Sequence, residues 1–324
     1  MKEKRSPLII QVSEHRESMM GISMLSIMLF HQYFISMFPF NIFHYIGYWG
    51  VDIFLLLSGI GLVNSLEKNK IKTYYERRFI RLVPSCILCG LTKYLIFVYL
   101  GPSVIILKEG LNIGIWSIAS LDLWFIHTII ILYIISPLLH WILNKCPYET
   151  ILIILLLFFI NGFTLKPEVG YEWMSPKGIT SWTLERLPVF TAGMIISIYN
   201  LRLDKNLIFS ALFLLSTGCL DYLSKTNYSI YINQAYQSFT LLLGMPAILF
   251  LCISILDVIP NYLKSFLSFL GTYSLELYLV HEFIFWTMKI IFVNTNPWIL
   301  LASSFTLSCL SAYAIKKCTK LFHH

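Results

Sequence analysis

The chain has 324 residues, of which 57% are apolar and only 13% are charged, and its mean hydropathy is +0.72. A soluble domain carries nearer a quarter charged residues, so this composition excludes a soluble protein and predicts an integral membrane protein. The net charge of +7 does not indicate a nucleic-acid partner, because the basic residues form short runs between apolar stretches, as the positive-inside rule describes.

Ten apolar stretches are predicted to be transmembrane helices. A helix needs about 20 apolar residues to cross the hydrocarbon core, and in lipid only a helix satisfies every backbone amide of an open chain. The sequence therefore predicts an all-α integral membrane protein with about ten transmembrane helices. In chain order the stretches are 18–38, 47–66, 82–100, 121–140, 150–165, 186–200, 206–221, 236–256, 266–289 and 297–315.

The distribution of basic residues predicts the orientation of these helices. If the N-terminus is cytoplasmic, 17 of the 24 Lys and Arg residues fall in or beside cytoplasmic segments, as the positive-inside rule requires. We therefore expect both termini in the cytoplasm and a multi-pass protein of the plasma (inner) membrane. Residues 1–324 are expected to form a single transmembrane domain, with no removable signal peptide and no appended soluble domain.

The first two stretches carry His31 and Asp52. Ionisable groups at membrane depth are costly and commonly functional. Because the two helices run antiparallel, His31 and Asp52 are expected at similar depth, where the carboxylate would fix one imidazole tautomer and make the other nitrogen a better base. The alternative is a packing histidine that bonds to backbone or serine, and these residues alone do not decide between the two.

Three arginines precede the apolar part of the third stretch, namely Arg77, Arg78 and Arg81. Arg78 and Arg81 are three residues apart and share a face if the segment is helical. Paired guanidinium groups suit a phosphate-rich cytosolic ligand such as coenzyme A. The alternative is a topology signal that also contacts lipid head groups.

Further polar residues lie in the later stretches. His127 follows a Leu-Trp-Phe-Ile sequence, while Tyr278 and His281 share a helical face from which Glu276 points away. Arg186 stands at the outer start of the sixth stretch. Each is a candidate for a pocket between the helices, and each could instead be a polar contact that holds two helices together.

The seven cysteines fall mostly inside the apolar stretches. Cys86 and Cys89 form a C-x-x-C pair, but no second pair and no histidine lies nearby, which makes a zinc or redox centre a weak interpretation. We therefore predict buried free thiols and no metal site.

The order of these motifs resembles the acyltransferase 3 family of integral membrane acyltransferases. The first-span histidine is followed by Gly-Val-Asp-Ile-Phe-x-x-x-Ser-Gly, Arg-Arg-x-x-Arg-x-x-Pro and Leu-Trp-Phe. Arg-x-Pro-x-Phe-x-x-Gly and a late Tyr-Ser-x-x-x-Tyr-Leu-x-His complete the series, which runs from about residue 16 to residue 281. Six motifs in order, with ten predicted helices, make the resemblance specific.

The resemblance implies that acyl-CoA, usually acetyl-CoA, is the donor substrate and that no cofactor is bound. The implied acceptor is a hydroxyl of a cell-surface or secreted glycan unit of the capsule, exopolysaccharide or O-antigen type; membrane lipids are the other partner. His31 matches the family's essential histidine, and Arg78 with Arg81 matches its Arg-x-x-Arg motif. The second-helix motif is matched by Asp52, Ser58 and Gly59.

The chain departs from the family pattern at one position. Many members have an arginine eleven residues before the histidine, where this sequence has Met20. Arg16 lies one helical turn earlier on the same face, and our hypothesis is that it partly replaces the missing arginine.

An O-acyltransferase, most simply an O-acetyltransferase acting on carbohydrate, is the predicted activity. His31 is expected to take the hydroxyl proton, oriented by Asp52, while Arg78, Arg81 and Arg77 bind the donor. The alternative is a transporter or flippase for polysaccharide or lipid-linked sugar, in which buried His, Asp and Glu residues form a proton path. The paired inverted repeats of many transporters are not evident, and a catalytically inactive scaffold fits the retained motifs poorly.

Overall fold

The structure is a computed structural model that describes residues 6–32, 34–35, 47, 49–100, 124–164, 176–201, 244 and 248–320. In these residues all regular structure is helical, which confirms the all-α prediction. The eleven helices are α1 (Pro7–Glu14), α2 (Arg16–Phe30), α3 (Trp49–Lys68), α4 (Ile71–Leu100), α5 (Trp124–Lys145), α6 (Pro147–Thr164), α7 (Pro176–Ile198), α8 (Ile248–Val258), α9 (Asn261–Thr272), α10 (Ser274–Ile291) and α11 (Pro297–Thr319).

Several helix starts follow directly from local sequence. Ser6 caps α1 by accepting a hydrogen bond from the backbone N–H of Ile9, and Asn296 caps α11 by accepting one from the N–H of Trp298. In both helices a proline occupies the first turn, where its missing N–H leaves no hydrogen bond unmade. Capped starts of this kind are each worth about 1 kcal/mol.

The exposed surface of the helices identifies a membrane protein. Within the described residues, α3, α5 and α11 are long and apolar enough to cross a bilayer. On α6 the side chains of Leu152 and Leu156 are 68% and 56% exposed. Soluble proteins rarely expose a contiguous apolar face, so this outer surface is suited to lipid.

The helices of the structure match some of the predicted spans and leave others untested. The stretches at 47–66, 121–140 and 297–315 correspond to α3, α5 and α11. The described residues do not confirm ten transmembrane helices: 206–221, most of 236–256 and both chain ends lie outside them. The orientation of the termini therefore stays a prediction.

Two predicted spans have a different extent in the structure. In the first, 18–38, helix α2 ends at Phe30 and the chain turns at His31, while residues 33 and 36–38 lie outside the described residues. The ninth, 266–289, is two helices, α9 and α10, because Tyr273 leaves helical geometry with φ −101° and ψ 14°. Apolar composition continues across both breaks, so hydropathy alone could not locate them.

Glycines allow two pairs of helices to approach closely. Gly59 of α3 lies against the backbone of Phe190 in α7, and Gly193 of α7 lies against the backbone of Leu56 in α3. A Cβ at either glycine would overlap a carbonyl oxygen. Small residues of this kind are how membrane helices bring their backbones together, and α2 meets α9 in the same way.

The packing of α2, α3, α4, α5, α7 and α10 around one another positions the polar residues. α3 packs on α2 and α7, while α10 contacts both α2 and α4. The motifs of the first, second, third and ninth stretches are therefore brought to one region of the fold, although as many as 250 residues separate them along the chain.

Candidate active site

A cavity of about 670 Å³, including its open mouth, lies between α2, α3, α4, α5 and α10. Thirteen side chains line it: Arg16, Met20, Phe54, Ser58, Arg78, Arg81, Leu82, Phe125, Ile129, Tyr133, Ser274, Leu275 and Tyr278.

Three arginines from two helices give the cavity its positive charge. Arg78 and Arg81 come from α4, where a spacing of three residues puts them on one face, and Arg16 comes from the first residue of α2. Within the described lining no carboxylate balances them. An anionic ligand is therefore the partner that this part of the cavity favours.

Neighbouring groups hold two of these guanidinium groups in place. Arg16 donates a hydrogen bond of 2.8 Å from Nη1 to the backbone oxygen of Leu57. Arg78 lies over the rings of Tyr74 and Tyr133, at 5.7 and 5.6 Å from their centroids. Cation–π contacts of this kind orient a guanidinium without neutralising it, so its donors stay available to a ligand.

Arg77 does not join the other two arginines of its motif. Its side chain is exposed, and it is not part of the described cavity lining. One residue along a helix turns the side chain by about 100°, which is why adjacent arginines face different surroundings.

The remaining predicted pocket residues divide into two groups. Ser58 and Tyr278 line the cavity. Gly59 instead packs against α7, and His127 is not among the described lining residues. Glu276 is buried and accepts a hydrogen bond of 2.9 Å from Ser85 Oγ.

His31 is paired with His281. His31 follows the last residue of α2, and its Nδ1 is 3.0 Å from Nε2 of His281 on α10. The other ring nitrogen of His281, Nδ1, is 2.9 and 3.0 Å from the carbonyl oxygens of Leu277 and Tyr278. The two imidazoles therefore form a short chain that ends on backbone oxygens.

The turn after His31 is fixed by Gln32. Its side chain is fully buried, its Oε1 accepts hydrogen bonds from the N–H groups of Phe34 and Ile35, and its Nε2 donates to the oxygen of Ile35. These three bonds close a loop immediately beyond His31. The His31 imidazole is thus held by His281, and the backbone that follows it is held by the hydrogen bonds of Gln32.

The expectation that Asp52 orients His31 was wrong. Both carboxylate oxygens of Asp52 accept hydrogen bonds of 2.9 Å from Nη1 of Arg186 on α7. Among the described residues, the hydrogen-bond partner of the His31 ring is His281. Asp52 lies on the face of α3 that packs against α7, where the buried arginine is the opposite charge within reach.

The pairing of Arg186 with Asp52 was not predicted from the sequence. Arg186 is 4% exposed, and its guanidinium lies 5.8 and 5.9 Å from the rings of Trp124 and Trp182, which stack on each other at 4.8 Å. The available signal was its motif, Arg-x-Pro-x-Phe-x-x-Gly, together with the cost of an arginine at membrane depth. The cavity residues Phe54, Phe125 and Tyr133 gave no such signal, because apolar and aromatic residues are abundant throughout this sequence.

The arginines that line the cavity lie far from the His31–His281 pair, measured along the direction of α2. From Arg16 to His31 the helix rises by about 22 Å at 1.5 Å per residue. Tyr278 connects the two regions: it lines the cavity, and its ring is 5.0 Å from that of Phe125 and 5.8 Å from that of His281. The site is therefore elongated, with positive charge at one end and imidazoles at the other.

Comparison with known protein families gives a match over most of the chain. A family model described as an acyltransferase domain matches residues 19–317, a range that includes Arg78, Arg81 and the histidine pair and begins just after Arg16. No curated protein and no solved structure gives a significant match.

Proposed function

The chain belongs to the acyltransferase 3 family, as its motifs predicted, and on this premise we propose that it transfers an acyl group from acyl-CoA to a hydroxyl of a cell-surface or secreted glycan unit. The family makes the protein a membrane acyltransferase. The acyl group that we propose is acetyl, which would make the enzyme an O-acetyltransferase of polysaccharide biosynthesis.

The cluster of Arg16, Arg78 and Arg81 around one cavity is the observation that carries this proposal. Coenzyme A presents phosphates at one end and a thiol on a long flexible arm. Guanidinium groups bind phosphates through charge-assisted and often bidentate hydrogen bonds. The nucleotide end would lie at the arginines, and the arm would extend along the cavity towards Tyr278.

Arg16 supports the hypothesis on the Met20 position. Both side chains line the same cavity, and Arg16 lies about one helical turn from Met20. In our proposal Arg16 supplies the positive charge that other members of the family place at the later position.

His31 is the proposed general base. The sugar oxygen attacks the thioester carbon while its proton moves to His31; the C–S bond then breaks, and the proton passes to the sulfur of the leaving coenzyme A. A positioned histidine contributes roughly 10²–10⁴-fold to such a step. This assignment is supported by the place of His31 beyond the far end of the arginine-lined cavity, held by His281 and by the Gln32 turn.

The first test is mass spectrometry of surface glycans from cells that express wild type, His31→Ala or His140→Ala. We expect one acetyl increment per glycan repeat in wild type, and its loss in His31→Ala. His140 is a suitable control because it lies on α5 and its ring contacts Asn144 of the same helix. Unchanged acetylation in His31→Ala would refute the mechanism, and altered glycan export without altered acetylation would favour transport.

The second test addresses the donor site through binding of acetyl-CoA to purified protein. Hydrogen bonds to a charged group are worth about 1.5–3 kcal/mol, so Arg78→Gln and Arg81→Gln should each weaken binding by roughly 10- to 100-fold. Arg77→Gln is the matched control, since Arg77 is adjacent in sequence but outside the described lining. Equal affinities for all three variants would remove the phosphate site from this cavity.

A further inference from the structure

The hydrogen bonds of His281 determine which of its nitrogens carries a proton. Its Nδ1 lies 2.9 and 3.0 Å from the carbonyl oxygens of Leu277 and Tyr278. Carbonyl oxygens only accept hydrogen bonds, so Nδ1 must donate and therefore carries hydrogen. Hydrogen bonds made by one ring nitrogen set the state of the other.

The other nitrogen of His281, Nε2, is consequently an acceptor. His281 is 1% exposed, and within the described residues the structure gives its ring no carboxylate partner. A buried charge without a counter-charge is costly, so the neutral ring is the stable form. A neutral ring with hydrogen on Nδ1 has a lone pair on Nε2.

That lone pair determines which ring nitrogen of His31 carries hydrogen. Nε2 of His281 lies 3.0 Å from Nδ1 of His31, and two lone pairs cannot form a hydrogen bond. Nδ1 of His31 must therefore carry the proton. When His31 is neutral, its Nε2 is the nitrogen without hydrogen.

We propose that His281 is a positioning residue that holds His31 in the tautomer with hydrogen on Nδ1, leaving Nε2 of His31 as the basic nitrogen of the transferase. This inference rests on the proposed function for its catalytic meaning. The hydroxyl proton goes to Nε2 of His31 and from there to the departing sulfur. Throughout, His281 keeps its own proton and accepts one hydrogen bond from the charged form of His31.

The arrangement resembles a catalytic triad whose third member is unusual. In such triads a base is oriented by a further group that accepts a hydrogen bond from its second nitrogen. That role is commonly filled by a carboxylate, and here a neutral imidazole anchored to backbone oxygens occupies the position. The carboxylate of Asp52 is engaged by Arg186 instead.

The test compares two variants of nearly equal size, His281→Gln and His281→Met. A glutamine oxygen can accept the hydrogen bond at the position of the lost Nε2, whereas methionine offers only a weak acceptor. We expect His281→Met to lower kcat by at least about tenfold, a part of the 10²–10⁴-fold that a positioned base supplies, with no change in KM for acetyl-CoA. His281→Gln should recover most of that loss.

The tautomer itself is measured by ¹⁵N nuclear magnetic resonance of histidine-labelled protein, with the His31 signals assigned by their absence in His31→Ala. We expect a neutral ring with hydrogen on Nδ1 in wild type and in His281→Gln, and loss of that preference in His281→Met. Hydrogen on Nε2 of His31 in wild type would overturn the inference. So would equal kcat values for the two His281 variants.

Different results would refute the proposed role of His31 as base and the proposed role of His281 as positioning residue. If His31→Ala abolishes transfer while His281→Met is fully active, the transferase stands and the role of His281 is refuted. If His31→Ala remains active, the role of His31 as base is refuted, whatever the tautomer shows.

Discussion

Asp52 and Arg186 form an ion pair in which neither side chain has more than 5% of its surface exposed. Both oxygens of the carboxylate contact a single guanidinium nitrogen, and two tryptophans lie against the guanidinium. Removing one member of a buried pair leaves an uncompensated charge and costs about 3–5 kcal/mol, whereas replacing both is often nearly neutral. The pair therefore joins α3 to α7, away from the His31 ring.

Our prediction for this pair is a specific order of stabilities. Asp52→Leu should unfold at a markedly lower temperature than wild type, because it strands the charge of Arg186. The double variant Asp52→Leu/Arg186→Leu should be more stable than Asp52→Leu alone, as expected when a buried pair is replaced by apolar groups. Thermal unfolding of the purified protein in detergent gives the three midpoints. A double variant less stable than Asp52→Leu would contradict the interpretation of the pair as a local charge balance.

The helix α3 presents two glycines to different partners. A Cβ at Gly59 would overlap the backbone oxygen of Phe190, while a Cβ at Gly61 would meet the guanidinium of Arg16 at 2.8 Å. Backbone cannot yield without moving a helix, but the end of a long side chain can. Glycine therefore allows close helix packing at position 59. At position 61 it leaves room for the side chain of Arg16, which lines the cavity.

This contrast predicts that Gly59→Ala and Gly61→Ala fail in different assays. Gly59→Ala should be destabilised by about 1–3 kcal/mol, the cost of overpacking, although alanine favours a helix by roughly 1 kcal/mol over glycine. Gly61→Ala should fold normally but displace Arg16 and raise KM for acetyl-CoA several-fold. Unfolding midpoints and steady-state kinetics separate the two effects. Loss of folding in Gly61→Ala, or normal stability in Gly59→Ala, would show that the contacts are not arranged in this way.

On the scale of the whole molecule, the protein combines an apolar outer surface with a mainly apolar core in which some polar and ionisable groups are buried. Leu95 and Leu310 are 65% and 61% exposed, whereas Asp52, Glu276 and His281 are buried. The apolar outer surface suits a solvent that cannot hydrogen-bond. In such a solvent the buried polar groups must find their partners inside the protein.

The predicted orientation of the molecule can be tested with its own cysteines. Cys146 follows α5 and Cys318 lies near the end of α11; both are exposed and, by the positive-inside rule, cytoplasmic. In single-cysteine variants, a membrane-impermeant maleimide should label neither residue in intact cells and both after permeabilisation. Asn294→Cys, in the exposed turn between α10 and α11, is the control and should be labelled in intact cells. Labelling of Cys146 or Cys318 from outside would reverse the assigned topology.

The amino-acid sequence by itself determined the class of the protein, its family and the positive end of its cavity. These depend on composition and on local spacing: apolar stretches of membrane length, and Arg78 and Arg81 one turn apart on α4. Helical periodicity carries such information over a few residues. The motif order that indicated the family is likewise read directly along the chain.

Only the tertiary structure decided the partners of the buried polar groups. His31 and His281 are 250 residues apart and Asp52 and Arg186 are 134 apart, and several helices offered each of them an acceptor or a donor. Burial requires that every such group form a hydrogen bond, but it does not specify which residue is the partner. That choice is made by the helix pairs that close packing brings together, including the contact of α3 with α7 through Gly59 and Gly193, and so it can be read only from the folded molecule.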